Sequence, residues 1–228
     1  MRKRLPWLVL FMIISFRLSA QVQLAPNSAL KSHETLEILK IDAGSSGTTF
    51  YMSVENRRPD GTFCADKNIY IIYPDGSREK MIRAEGIPVC PGAHRFTSVG
   101  EVLNFTLVFP PLKPGTTWFD LVEDCQDNCF WFYGVVVDEV LNSRIDQLFS
   151  LAASGKPDQN LKLFRAFLEE TDSRNLGTEG MLYINIINSA LEAGDRTEAG
   201  VWYKRLGTSG APRAARYIQF LNEKGIKF

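Results

Sequence analysis

From residue 36 to residue 137 the apolar positions come in short runs of β-branched and aromatic residues, separated by turn formers. The runs cover 36–41, 49–55, 68–73, 79–83, 102–109, 118–122 and 130–137 and predict seven strands. Several alternate with period two: Leu103, Phe105, Leu107 and Phe109 share one face, while Asn104 and Thr106 take the other. Pro74-Asp75-Gly76-Ser77 is a tight-turn sequence, because Pro presets one dihedral and Gly accepts positive φ, so 68–73 and 79–83 should form a hairpin. No helical period interrupts the strands, which predicts an antiparallel sandwich rather than an α/β fold.

Beyond residue 137 the period changes to that of helices. Segments 140–153, 159–170, 179–193, 197–206 and 212–224 each carry one apolar face, for example Leu161, Phe164 and Leu168, or Ala214, Ile218 and Leu221. Asp138 and Thr178 are placed to cap the first and third helices. The predicted organisation is a leader over 1–20, a β-sandwich domain over 21–140 and an all-α antiparallel domain over 141–228.

The spacing of the strands suits an immunoglobulin-like sandwich. The segment Leu107-Val108-Phe109-Pro110-Pro111-Leu112-Lys113-Pro114-Gly115-Thr116-Thr117-Trp118-Phe119-Asp120-Leu121-Val122-Glu123 resembles one found in uncharacterised exported immunoglobulin-like proteins of Gram-negative bacteria. That resemblance implies an architecture and no activity. Its physical content is a corner, since two prolines cannot donate to a ladder and the chain must leave one sheet for the other. In the helical half, Gly155, Gly194 and Gly225 mark a faint repeat. The stretch 191–206 resembles a tetratricopeptide repeat, with Gly194-Asp195 at the turn, Ala199 as the small contact residue and Tyr203 as the aromatic. Such a repeat implies paired antiparallel helices that bind peptide segments; the alternative is a plain bundle in which Trp202 and Tyr203 are core.

Composition changes this picture in two places. Hydrophobic residues at 45% and charged residues at 23% exclude a wholly disordered, fibrous or multi-span membrane protein. The 26 basic residues balance the 26 acidic ones, but Arg2, Lys3, Arg4 and Arg17 lie in the first twenty residues. There a basic start precedes an apolar run from Leu5 to Phe16, too short to span a bilayer as a helix, and the sequence reads as a signal peptide cut at Ala20/Gln21. Without it, 22 basic residues face 26 acidic ones; residues 21–140 hold 10 and 16, residues 141–228 hold 12 and 10. The opposite signs of the two halves are expected to favour their docking, with an effect that weakens in salt.

The four cysteines, Cys64, Cys90, Cys125 and Cys129, all lie in the first half, and an even number in an exported chain points to disulfides. Three pairings are open. Cys64 with Cys90 is preferred because the two flank the predicted hairpin at similar distances from its turn, which leaves Cys125 with Cys129. The alternatives are a zinc site, which lacks two Cys-x2-Cys knuckles, and a redox pair, for which Cys125 and Cys129 have three intervening residues rather than two.

Chemistry-bearing residues are sparse. His33 and His94 are the only histidines, and no Ser stands in a Gly-x-Ser-x-Gly elbow. Gly44-Ser45-Ser46-Gly47 reads as a hairpin loop rather than a phosphate cradle. Glu123, Asp124, Asp127 and Asn128 concentrate oxygen ligands on one loop and form a weak calcium candidate. Phe130-Trp131-Phe132-Tyr133 suggests a strip for stacking sugars, although strand alternation sends only two of the four to either face. The expectation is an exported, periplasmic or extracellular, non-enzymatic protein that binds another envelope or secreted protein. No cofactor and no nucleic acid are expected, and membrane contact only through the transient leader. Glycan binding is the alternative, and thiol/disulfide accessory chemistry stands third.

Overall fold

The computed structural model describes residues 21–171 and 175–228; the leader predicted over 1–20 and its cut at Ala20/Gln21 lie outside them. The strands are β1 (Gln21–Leu24), β2 (Leu30–Lys31), β3 (Leu36–Gly44), β4 (Gly47–Glu55), β5 (Thr62–Phe63), β6 (Ile69–Ile72), β7 (Arg78–Lys80), β8 (Arg83–Glu85), β9 (His94–Arg95), β10 (Val102–Phe109), β11 (Trp118–Glu123) and β12 (Trp131–Val136). The helices α1 (Glu139–Ser154), α2 (Pro157–Thr171), α3 (Glu179–Glu192), α4 (Arg196–Thr208) and α5 (Ala214–Glu223) follow. A β region therefore precedes a helical region, as the change of period predicts.

One antiparallel sheet has the order β1-β3-β4-β10-β8, a second the order β2-β12-β11-β6-β7, and β5 pairs with β9. The first two face each other across one core, in which Phe50, Met52 and Leu107 from one sheet pack with Ile69, Ile71 and Leu121 from the other. The Phe50 ring meets Phe109 of its own sheet at 5.2 Å and Phe119 of the opposite sheet at 5.7 Å, both edge-on. The prolines after Phe109 carry the chain from the first sheet to the second, which it enters at Trp118.

The run 79–83 is not one strand. Lys80 pairs with Tyr70 in the second sheet, whereas Arg83 pairs with Val108 in the first. Between them the buried Met81 donates its amide to Ile69 and Ile82 donates to Val108, so both amides stay hydrogen-bonded where the chain changes sheets. The hairpin turn forms as expected: Gly76 has φ +80°, and Asp75 Oδ1 accepts the Ser77 amide at 2.8 Å.

The helices close over the outer face of the second sheet. Ala29 and Val136 belong to the same core as Leu141, Ile145, Met181 and Tyr217. Asp138 caps α1 by accepting from the Leu141 amide. Thr178 does not cap α3, because its backbone is already helical (φ −104°, ψ −5°); Glu179 Oε1 instead accepts the amide of Leu176. Asp195 accepts from Glu198 at the start of α4. Gly194 and Gly225 take positive φ after α3 and α5, while Gly155 ends α1 at φ −82° and so breaks the faint repeat.

Polar bridges also cross this junction, among them the Trp118 Nε1 bond to Asn175 O at 2.8 Å. The buried Asn142 on α1 accepts from the Asn27 amide at 2.8 Å and donates to Val136 O at 2.8 Å. In β11, Asp120 is 2% exposed; it accepts the Gly134 amide on one oxygen and the Arg213 guanidinium on the other, at 2.8 and 2.7 Å. The junction is thus mostly apolar. Among the described residues, its ion pairs are Asp120 with Arg213 and the exposed contact of Lys224 with Glu34 at 3.9 Å. With so few ion pairs at the junction, the salt effect expected from the opposite charges of the two halves should be small. Arg213→Ala should cost about 2 kcal/mol in urea unfolding, less than the ~3–5 kcal/mol of a fully buried pair, because the arginine side chain is 40% exposed. An unchanged midpoint would show that the pair contributes nothing.

Candidate binding site at the disulfide-braced loops

Three loops, those leading from β4 to β6, from β8 to β10 and from β11 to β12, come together at one end of the paired sheets. Each leaves a strand that ends in a glutamate, and the loops are joined by one disulfide, by core residues such as Ala65, Ile87 and Phe96, and by hydrogen bonds. Cys64 is bonded to Cys90 with Cα atoms 5.4 Å apart, and Cys125 to Cys129 with Cα atoms 5.6 Å apart, the pairing preferred from the hairpin. Beside the first bond the buried Ala65 donates to Pro88 O and accepts from the Cys90 amide, both at 3.0 Å.

The loops enclose a cavity of about 750 Å³ whose lining includes Cys64, Cys90, Cys125, Asp66, Lys67 and Asp127. A second cavity of about 440 Å³ lies beside it and is lined by His33, Asn56, Asp60, Phe63 and Phe96 among others. Phe63 and Asn128 border both. The Phe63 ring stacks over Phe130 at 6.4 Å, which ties the cavity wall to the sheet core.

The residues of the calcium candidate part company here. Glu123 is buried, with one oxygen accepting the Asp66 amide at 2.7 Å and the other the Phe130 amide at 2.9 Å. Asp124, Asp127 and Asn128 are exposed. Among the described residues no group of three or more His, Cys, Asp or Glu is arranged to hold a metal ion. Glu123 instead joins two of the loops from beneath. Its carboxylate could be read from the sequence as a ligand, but nothing there shows that two remote amides already use it.

The histidines also hold loops. His33 Nδ1 lies 2.7 Å from Ser32 Oγ, and the ring meets Phe63 edge-on at 6.4 Å. Burial lowers its pKa, opposed by a hydrogen bond with Asn128. His94 Nε2 lies 3.1 Å from Glu101, whose carboxyl is held down to about 2, first by the Thr97 hydroxyl and then by the Thr97 amide. Gly44 pairs with Gly47 in the turn of the β3–β4 hairpin.

The aromatic run divides between the faces, as alternation requires. Phe130 and Phe132 are core. Trp131 and Tyr133 stack on each other at 4.2 Å, and Tyr133 is 7% exposed under the Arg213 guanidinium, so the four rings form no open platform.

Asp120 and Glu123 share an electrostatic signature: burial raises both carboxyls above the usual carboxylate range, against the amides and, for Asp120, against Arg213. The folded chain then holds protons that the unfolded chain has released. Their contribution to stability is greatest at acid pH and falls as pH rises from the ordinary carboxylate range through the raised values. His33, lowered, acts in the opposite direction near neutral pH. The stability difference between the native chain and Asp120→Asn/Glu123→Gln cancels His33 and should grow in favour of the native chain as pH falls from 7 to 4. Urea unfolding across that range measures it, and a constant difference would refute the assignment.

Compared with known proteins, the chain matches no family model, no curated protein and no solved structure.

Proposed function

We propose that this is an exported binding protein, non-enzymatic in action, which presents its disulfide-braced loop end to another envelope or secreted protein. The observation that carries the reading is the placement of both disulfides on the loops that enclose the two cavities. Crosslinked loops lose little conformational entropy on binding, so a loop surface braced in this way is preorganised for recognition. Two disulfides suit an oxidising compartment, and no described helix is long and apolar enough to cross a membrane.

The architecture supports the reading. The orders β8-β10-β4-β3 and β7-β6-β11-β12 correspond to the D-E-B-A and C′-C-F-G strands of an immunoglobulin-like sandwich, in which loops clustered at one end serve recognition. In the helical half α3 packs against α4, α4 against α5, and α3 also against α5, the neighbour pattern of a tetratricopeptide-like stack. In this reading 21–140 and 141–228 are two domains.

A photocrosslinking side chain at exposed Thr62 or Gln126, in the native envelope, should capture the same protein at both positions, identified by mass spectrometry. The exposed Ser45, in the β3–β4 turn, should not capture it. Capture of nothing above background at Thr62 and Gln126 would overturn the proposal.

A further inference from the structure

The two disulfides differ in what else holds their loops. Around Cys64–Cys90 the Ala65 amide and carbonyl are both bonded across the same crossing. Between Cys125 and Cys129 the described residues make no backbone–backbone hydrogen bond. The nearest are Glu123 to Phe130 and Asp124 to Asn68, below the loop. Gln126, Asp127 and Asn128 are exposed, and Asn128 has a left-handed backbone at φ +54°. The shape of this loop is therefore set by its covalent bond.

That shape matters because of where Asn128 stands. It lines both cavities, the second of which is also lined by His33, Glu34 and Thr35 of the segment before β3. The β11–β12 ladder and the Glu123 carboxylate hold the base of the loop without help from the cysteines. Opening the disulfide would free the loop and leave the sheets in place.

We propose that Cys125–Cys129 is a redox-operated latch that sets the wall shared by the two cavities, and that its reduction by a dithiol of the cell envelope remodels the binding end. The second half of this statement rests on the binding reading above; the latch itself does not. In the exchange a thiolate of the dithiol attacks one cysteine sulfur, forming a mixed disulfide and expelling the other cysteine as a thiolate. The second thiol of the reductant, after losing its proton, displaces the remaining cysteine, which takes up a proton as the thiol. Two electrons pass to the protein, and the reductant leaves as its own disulfide.

The test is a titration of the folded full chain with dithiothreitol, trapping thiols by alkylation and mapping them by mass spectrometry. Cys125 and Cys129 should become alkylated together at reductant concentrations at least tenfold below those that expose Cys64 and Cys90. Over the same range, amide hydrogen exchange should speed at least tenfold in 125–129 and measurably in 33–35, with the β4 and β10 amides unchanged. Reduction of both disulfides together, or exchange that stays unchanged at 33–35, would overturn the latch. The Cys125→Ser/Cys129→Ser variant should reproduce the exchange pattern of the reduced chain without reductant. Crosslinking from Thr62 separates the two readings. Capture that is equal in native and variant chains removes the effect of the latch on binding, whereas no capture in either removes the binding reading and leaves the exchange result standing.

Discussion

A Gly134→Ala chain should lose about 4 kcal/mol of stability, the largest effect expected of any single substitution considered for this molecule. Gly134 sits in β12 where the register shifts: Phe119 faces Val135 and Leu121 faces Phe132, so Asp120 alone opposes both Tyr133 and Gly134. The extra residue is accommodated at φ +60°, which costs an alanine about 1–2 kcal/mol. The larger part is steric. A Cβ on Gly134 would lie 2.1 Å from the carbonyl oxygen of Gly177 and 3.0 Å from the Ala29 Cβ, and Gly177 is itself pinned under the Trp118 ring. Neither neighbour is the end of a flexible side chain, so the backbone of the segment entering α3 must shift, at about 2–3 kcal/mol. Because Gly134 also donates to Asp120, the shift would loosen the Asp120–Arg213 pair. Gly76→Ala is the control: φ is +80° there but nothing lies within 4 Å, so it should cost only about 1 kcal/mol. Equal losses in the two variants, by urea unfolding, would remove the steric argument.

The sequence makes the regular parts of this fold visible and hides the places where its pieces meet. The strand 102–109 is legible because Phe105, Leu107 and Phe109 alternate toward one core, and it forms as expected. All five helices are found within a few residues of their expected bounds, since each has a continuous apolar face. The run 79–83 misleads because Met81 and Ile82 are apolar for different reasons: Met81 is buried, and Ile82 is 59% exposed where the chain changes sheets. β1 and β2 escape notice because four-residue and two-residue strands are too short to show a period. Gly134 reads as an ordinary interruption in a strand until the bulge and the approaching Gly177 are seen together. Of the loop end, the cysteine pairing was legible from symmetry about a hairpin. The cavities were not, because loops more than fifty residues apart in the chain build them, from Thr62 to Gln126.

Replacing Cys64 and Cys90 together by alanine should cost about 3.5 kcal/mol, against about 2 kcal/mol for Cys125 and Cys129, in the chain-entropy estimate with separations of 26 and 4 residues. The difference follows from the freedom each bond denies the unfolded chain, and the native surroundings add to it. Cys64–Cys90 ties the loop after β4 to the loop after β8, elements that belong to the first sheet, on either side of β6 and β7, which belong to the second. Without that bond the crossing beside the cysteines rests on the Ala65 hydrogen bonds, while the two-residue β5–β9 pair and the bonds of Asn56 and Gly61 to residues 96–101 hold the loops further along. The first variant should therefore unfold at lower urea and lose amide protection at Ala65 and Cys90→Ala before global unfolding. The second should keep that protection and lose it only within its own loop. On the latch proposal, this asymmetry lets one disulfide hold the loop end together while the other opens. Equal midpoints for the two variants would contradict the asymmetry and, with it, the physical basis for treating the five-residue loop as the movable part.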